Sequence, residues 1–134
     1  MEKIEIYFPG GKRVDADFDG FTVKTDQTPA NEGQGSAPAP FDYFLTSIGT
    51  CVGIYVLTFC QVRNIPVDDV RIIQTIHRDQ ETQVLDKIGL EIKLPADFPG
   101  KYRSALVNAA KLCAVKKMLE EPPSFSITTT LGSE

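Results

Sequence analysis

From Tyr43 to Cys60 the chain runs for 18 residues without a charge, and any fold it adopts must find a place for that segment. A stretch of this length lies at the lower limit for a bilayer-spanning helix. Thr46, Ser47, Gly49, Thr50, Gly53 and Thr58 dilute its apolarity, and the flanking sequence reads as strands that need a helix to cover them. The segment is therefore read as the buried central helix of a globular fold, not as a membrane span. Pro40 suits the first helical position, where a missing N–H costs nothing. Asn64-Ile65-Pro66 stops the helix near Arg63. A helix apolar on nearly all sides is buried on all sides, and 134 residues supply little sheet to wrap it. Gly49 and Gly53, beside Thr46 and Thr50, leave room for another backbone. That backbone is either a sheet of the same chain or a helix of a second copy. The second copy is preferred, because an uncovered helix of this kind is a large apolar patch.

Around this helix the hydropathy pattern changes period. Ile4, Ile6 and Phe8 alternate with Lys3, Glu5 and Tyr7, a strand ended by Pro9-Gly10-Gly11. A second strand, Lys12 to Phe18, meets a third, Phe21 to Thr25, across Asp19-Gly20, a pair suited to a tight hairpin because both residues tolerate positive φ. Residues 26–40 are a loop by composition. Their glycines match neither a phosphate loop nor a dinucleotide fingerprint. Two further strands are expected over Val70–Arg78 and Val84–Leu94, a second helix over Tyr102–Glu121 ending at Pro122-Pro123, and a last strand over Ser124–Leu131. Three strands, helix, two strands, helix, strand is an α+β order. Nothing divides it, so residues 1–134 are expected to be a single domain.

With a net charge of −4 and no dense Lys/Arg cluster, nucleic acid is not an expected partner. The N-terminal Met-Glu-Lys-Ile-Glu-Ile lacks the basic-then-apolar pattern of a secretory leader, so a cytoplasmic location is expected and no membrane association. In a reducing compartment thiols are more often catalytic or sensory than structural.

There are three cysteines. Cys51 sits among the small residues of the central helix. Cys60, nine residues on, points about 180° away. Cys113 shares a face of the second helix with Leu106, Ala109 and Ala110, turned toward the core, while Lys111, Lys116 and Lys117 lie on or near the opposite flank. Any one buried cysteine is more often structural than reactive. A nucleophilic thiol needs a nearby cation or hydrogen-bond donor to lower its pKa. Cys51 is too deep in its own helix for that helix's N-terminus to serve, so a side chain from elsewhere is expected to do so. His77, the only histidine, falls in an alternating strand and is read as facing solvent or a neighbour. Glu32, in the Gly-rich loop, is read as solvated. The spacing of the cysteines and His77 is not that of a zinc site, and no cofactor or metal is expected.

Two segments carry a resemblance to a known family. Ala39-Pro40-Phe41-Asp42-Tyr43-Phe44-Leu45, followed by Thr46-Ser47-Ile48-Gly49-Thr50-Cys51, is similar to the Pro-x-Glu/Asp, small-apolar run and reactive Cys of the osmotically inducible protein C (OsmC) and organic hydroperoxide resistance (Ohr) proteins. Leu112-Cys113-Ala114-Val115-Lys116-Lys117-Met118-Leu119 resembles their Cys-x-Val segment. The Asp at position 42, where Ohr members carry a Glu one residue earlier, is closer to the OsmC-like branches. The resemblance implies an α+β fold with antiparallel sheets packed around two long central helices, in an intertwined homodimer with active sites at the subunit interface. It implies an antioxidant, stress-response activity, the thiol-dependent reduction of organic hydroperoxides. Cys51 would be the peroxidatic thiolate, Cys113 the resolving thiol that forms a Cys51–Cys113 disulfide, and an external dithiol the reductant. Asp42 would be an orienting carboxylate, and Arg13, the nearest match to the family's arginine, the thiolate activator. Two other readings of the same residues are a non-catalytic dimeric domain that binds a small ligand and a thiol redox sensor.

Overall fold

A computed structural model describes residues 3–132. They form two compact units, one reaching Ser47 and the other starting at Ile48. The architecture is α+β with antiparallel sheets.

The first unit is a meander of β1 (Glu5–Gly10), β2 (Arg13–Phe18) and β3 (Phe21–Thr25), hydrogen-bonded in that order. Asp19 and Gly20 take φ of 47° and 80°, as the tight turn requires. Phe18 faces Phe21 across it with ring centroids 5.9 Å apart. β1 does not stop at Pro9 but continues to Gly10, with a register shift between Tyr7 and Gly10. An edge strand tolerates a proline because one row of its N–H groups has no partner to lose.

The loop after β3 is built on Asp26, whose side chain is 1% exposed. Its carboxylate accepts the N–H of Gln27 at 2.7 Å and both the N–H and the hydroxyl of Ser36, at 3.0 and 2.5 Å. The Gly35 N–H donates to the Gln27 carbonyl at 2.9 Å. The chain folds back so closely that a Cβ on Gly33 would lie 2.0 Å from the Gln27 oxygen. At the loop's end, Asp42 accepts the Ala39 N–H at 3.1 Å, closing the first turn of α1 (Pro40–Val62) as the acidic half of a capping box does. Tyr43 Oη donates to the Lys24 carbonyl at 2.6 Å.

The second unit takes most of α1 together with the antiparallel hairpin β4 (Arg71–Arg78) and β5 (Leu85–Lys93). Asp79 organises the hairpin turn by accepting the N–H groups of Glu81 and Thr82, each at 2.9 Å. The glycine face of α1 lies on this sheet. A Cβ on Gly49 would fall 2.4 Å from Gln74 Oε1, and one on Gly53 3.8 Å from Ile72 Cδ1. The close approach offered by these glycines is thus used by the chain's own β4, and the preferred reading of that face as a helix–helix contact is corrected. The core joins Val52, Val56, Phe59 and Cys60 of α1 to Phe98, Leu106, Ala110 and Cys113.

Two expected elements differ. The second helix is not continuous: it divides into α2 (Arg103–Ala110) and α3 (Ala114–Glu120), with Cys113 between them at φ −46° and ψ 124°. The segment Ser124–Leu131 forms no strand. Its alternation is real, but a strand exists only with a partner, and among the described residues none is offered to it. Phe125, Ile127 and Leu131 are left 86%, 93% and 102% exposed.

The hydrogen bonds from Ser36 and Gln27 hold the Asp26 carboxyl at about 2, below its ordinary 3.8. A depressed carboxyl contributes stability that is fully present above 3.8 and is lost as pH falls through about 2. Asp26→Asn is therefore expected to lower the melting temperature at neutral pH. The gap between the two proteins should close as unfolding is followed down toward pH 2; a gap that stays constant across this range would contradict the role given to Asp26.

Candidate functional site

The interruption after Ala110 is what makes a site. At the end of α2 the chain tightens: the N–H of Leu112 donates to the Ala109 carbonyl at 3.1 Å and that of Cys113 to the Ala110 carbonyl at 3.4 Å. Cys113 then turns to an extended conformation and starts α3, so the first N–H groups of α3 have no carbonyl of a preceding turn to bond. They meet the sulfur of Cys51. The N–H of Val115 is the main group that holds the Cys51 thiol below its usual value, opposed by partial burial and assisted by the Cys113 side chain and the N–H of Ala114. A sulfur facing such donors is stabilised as the thiolate, because the negative form gains most from them.

The structure brings Cys51 and Cys113 together as free thiols whose side chains interact. Their environments differ. Cys51 is partly exposed, whereas Cys113 is fully buried. Burial, followed by the neighbouring Cys51, pushes the Cys113 thiol up. Cys60 is also fully buried and its thiol is raised by desolvation. It belongs to the hydrophobic core, as its place on the far side of the helix suggests.

The other expected site residues lie in the first unit. Asp42 is exposed and caps α1 through Ala39. Arg13 opens β2, exposed, and lines a cavity of about 420 Å3 with Lys12, Glu32 and Gly33. Glu32 is solvated, as expected, and 3.6 Å from Lys12 Nζ. His77 pairs with Asp86 across the β4–β5 hairpin, Nδ1 to Oδ1 2.5 Å, on an exposed surface. No group of His, Cys, Asp or Glu suited to hold a metal occurs among the described residues.

Reading side chains alone misses the donors to Cys51, because they are the backbone of Ala114 and Val115. No glycine or proline marks the break that aims them. The one signal in the sequence is the second cysteine, at the residue where the helix restarts.

The fold and this thiol pair can be set beside known proteins. The model of the OsmC-like protein family matches residues 33–128, more than half of the chain. The protein therefore belongs to the OsmC-like family. Its fold is shared by solved structures at low identity. One is a Psychrobacter arcticus protein provisionally assigned to the osmotic-stress-induced detoxification response (20% identity, 87% of each chain, TM-score 0.73). Another is an OsmC-like protein from Mycoplasma pneumoniae (14% identity, 91% of this chain and 89% of that one, TM-score 0.69). A third is the organic hydroperoxide resistance protein OhrB of Bacillus subtilis (20% identity, 88% and 90%, TM-score 0.51). No curated protein sequence matches the chain.

The split between the thiols sets an order of reactivity. On the native protein iodoacetamide should modify Cys51 first, with a pH midpoint below 9.0, while Cys60 and Cys113 react only after unfolding or at higher pH. Cys113→Ala removes one donor and should move the Cys51 midpoint upward. Mass-spectrometric mapping of the alkylated thiols at a series of pH values tests both statements. Equal labelling of all three cysteines on the folded protein would contradict them.

Proposed function

We propose that this protein is a thiol-dependent peroxidase that reduces organic hydroperoxides through Cys51 and Cys113. The observation that carries this reading is the pairing of a thiol held toward its thiolate with a second thiol kept protonated beside it. Membership of a family in which some structures are named for hydroperoxide resistance agrees with it.

The thiolate of Cys51 attacks the outer oxygen of the peroxide. The O–O bond breaks, and the alkoxide takes a proton and leaves as the alcohol. Cys51 is then a sulfenic acid, oxidised by two electrons. The Cys113 sulfur attacks the Cys51 sulfur, the S–O bond breaks, and water departs with the formation of a Cys51–Cys113 disulfide. An external dithiol reduces the disulfide, becoming a cyclic disulfide itself. In this scheme the N–H groups of Val115 and Ala114 activate the thiolate. Arg13 and Asp42 are proposed as supporting groups, Arg13 as a cation for the thiolate and Asp42 as an orienting carboxylate.

The working molecule is proposed to be a cytoplasmic homodimer in which residues 1–134 act as one domain. Its main support is the surface left uncovered. α1 is long and apolar enough to cross a membrane, at a mean hydropathy of 1.6, and only 28% of its most apolar stretch is buried. Thr50, Ile54 and Thr58, one turn apart, form an exposed row on the helix, with Ile54 at 53%. Ile4, Ile6 and Phe8 of the first unit are 57%, 54% and 80% exposed, and the unpaired Phe125–Leu131 segment adds more. A second copy that covers the exposed apolar residues of each unit removes their exposure without invoking a membrane.

Three measurements test the reading. The reduced protein should consume an organic hydroperoxide with a small dithiol as donor, and Cys51→Ser should fall to the uncatalysed rate. One equivalent of peroxide without reductant should give a Cys51–Cys113 disulfide with Cys60 untouched; full turnover by Cys51→Ser would falsify the mechanism. Sedimentation should show a dimer, and Ile54→Glu should shift it toward monomer with a loss of stability of about 2 kcal/mol or more.

A further inference from the structure

The second unit holds a cavity of about 510 Å3 that the thiol chemistry does not use, within the size range of small-molecule sites. It lies at the C-terminal end of α1. Arg63 on its wall is twelve residues beyond Cys51, roughly 18 Å along the helix axis. Its apolar lining includes Ile65, Pro66 and the buried Phe98.

Arg63 is the organised group of the cavity. Its guanidinium stands 3.6 Å from the centroid of the Phe59 ring and 5.5 Å from that of Tyr102. Nη1 donates to the Phe59 carbonyl at 3.0 Å. A guanidinium stacked on rings and tethered at one nitrogen has already lost its rotamer freedom, so a ligand need not order it. The remaining N–H groups of its fork suit a carboxylate. Lys101 Nζ, 5.0 Å from the Tyr102 centroid, adds a second cation.

Three carboxylates line the same cavity, those of Asp68, Asp69 and Asp97. Among the described residues none of these five charged side chains enters an ion pair. A simple anion would be opposed by the carboxylates and a simple amine by the cations. A molecule carrying both charges on an apolar body meets both sets and also covers Ile65 and Phe98. We propose that this cavity binds a free α-amino acid with an apolar side chain, its carboxylate on Arg63 and its ammonium on the aspartates, at a site separate from Cys51.

The test titrates the reduced, isotope-labelled full-length protein with L-phenylalanine and L-leucine and follows backbone amide shifts. Saturable shifts centred on Asn64, Asp97 and Lys101 are expected, with affinity in the roughly millimolar range that suits an open site. Phenylethylamine and 3-phenylpropionate each lack one charge and should bind at least about tenfold more weakly. Arg63→Lys, which keeps the charge but loses the planar fork, should weaken binding by a similar factor. So should the exposed double substitution Asp68→Asn and Asp97→Asn, which leaves the core untouched. Cys51→Ser should bind as the unmodified protein does, which separates this site from the peroxidase reading. Absence of saturable shifts, equal binding of all three aromatic ligands, or indifference to both sets of substitutions would overturn the proposal.

Discussion

A backbone N–H at the start of a helix has one unsatisfied hydrogen, and in this protein the hydrogen of Val115 meets the sulfur of Cys51. The chemistry of the thiol pair depends on that contact, and the contact depends on the break after Ala110. Had α2 and α3 formed one helix, the Val115 N–H would have bonded to the carbonyl of Lys111, four residues earlier. Cys113 would then have sat in the middle of a regular turn. Because the chain instead restarts at Cys113, the donors are released and aimed by the same residue that brings the second thiol. One local conformation thus supplies both the activation of the first sulfur and the position of the second.

This arrangement explains which parts of the fold could be read from the sequence. The meander and its Asp19-Gly20 turn, the start of α1 at Pro40 and the β4–β5 hairpin follow from alternation, proline and turn chemistry, which act over a few residues. The separation of Cys60 from Cys51 followed from helical geometry alone. The break at Cys113 did not, because Lys111-Leu112-Cys113 contains no breaker and its helix propensity is ordinary. It is stabilised by tertiary placement, with Leu106, Ala110 and Cys113 all anchored in the core. The missing strand over Ser124–Leu131 shows the complementary limit. Its period-2 pattern is a statement about faces, not about a partner, and a strand without a partner is only an alternating segment.

Among the candidate site residues the pairing of the two thiols was expected from the resemblance, and the backbone donors to Cys51 were not expected. A search for an activating group near Cys51 looks for side chains, and so settles on Arg13 as the cation, with Asp42 as an orienting carboxylate. Asp42 has a sufficient local duty in closing the first turn of α1 at Ala39. Backbone donors leave no mark of residue type, so a sequence can carry a thiolate site and show no arginine beside it. The glycines of α1 make the same point in reverse. Gly49 and Gly53 looked like room for a partner helix, but the room is taken by Gln74 and Ile72 of the chain's own sheet. Among the described residues, the face of α1 that stays exposed is the neighbouring row that carries Ile54 and Thr58.

On the proposed mechanism, the division of the two thiols has a kinetic logic. Before oxidation the charge belongs on Cys51, and burial together with that charge keeps Cys113 protonated. A protonated neighbour can donate to the thiolate and cannot compete for the peroxide. Once Cys51 becomes a neutral sulfenic acid, the charge that opposed ionisation of Cys113 is gone. The donors at the start of α3 then have no anion to satisfy, and the N–H groups of Lys116 and Val115 can favour a thiolate at Cys113, the residue from which α3 begins. Nothing large has to move for the second thiol to become reactive. A site built on backbone donors shared between two sulfurs needs no separate base to time the two steps, because the oxidation state of the first sulfur sets the ionisation of the second.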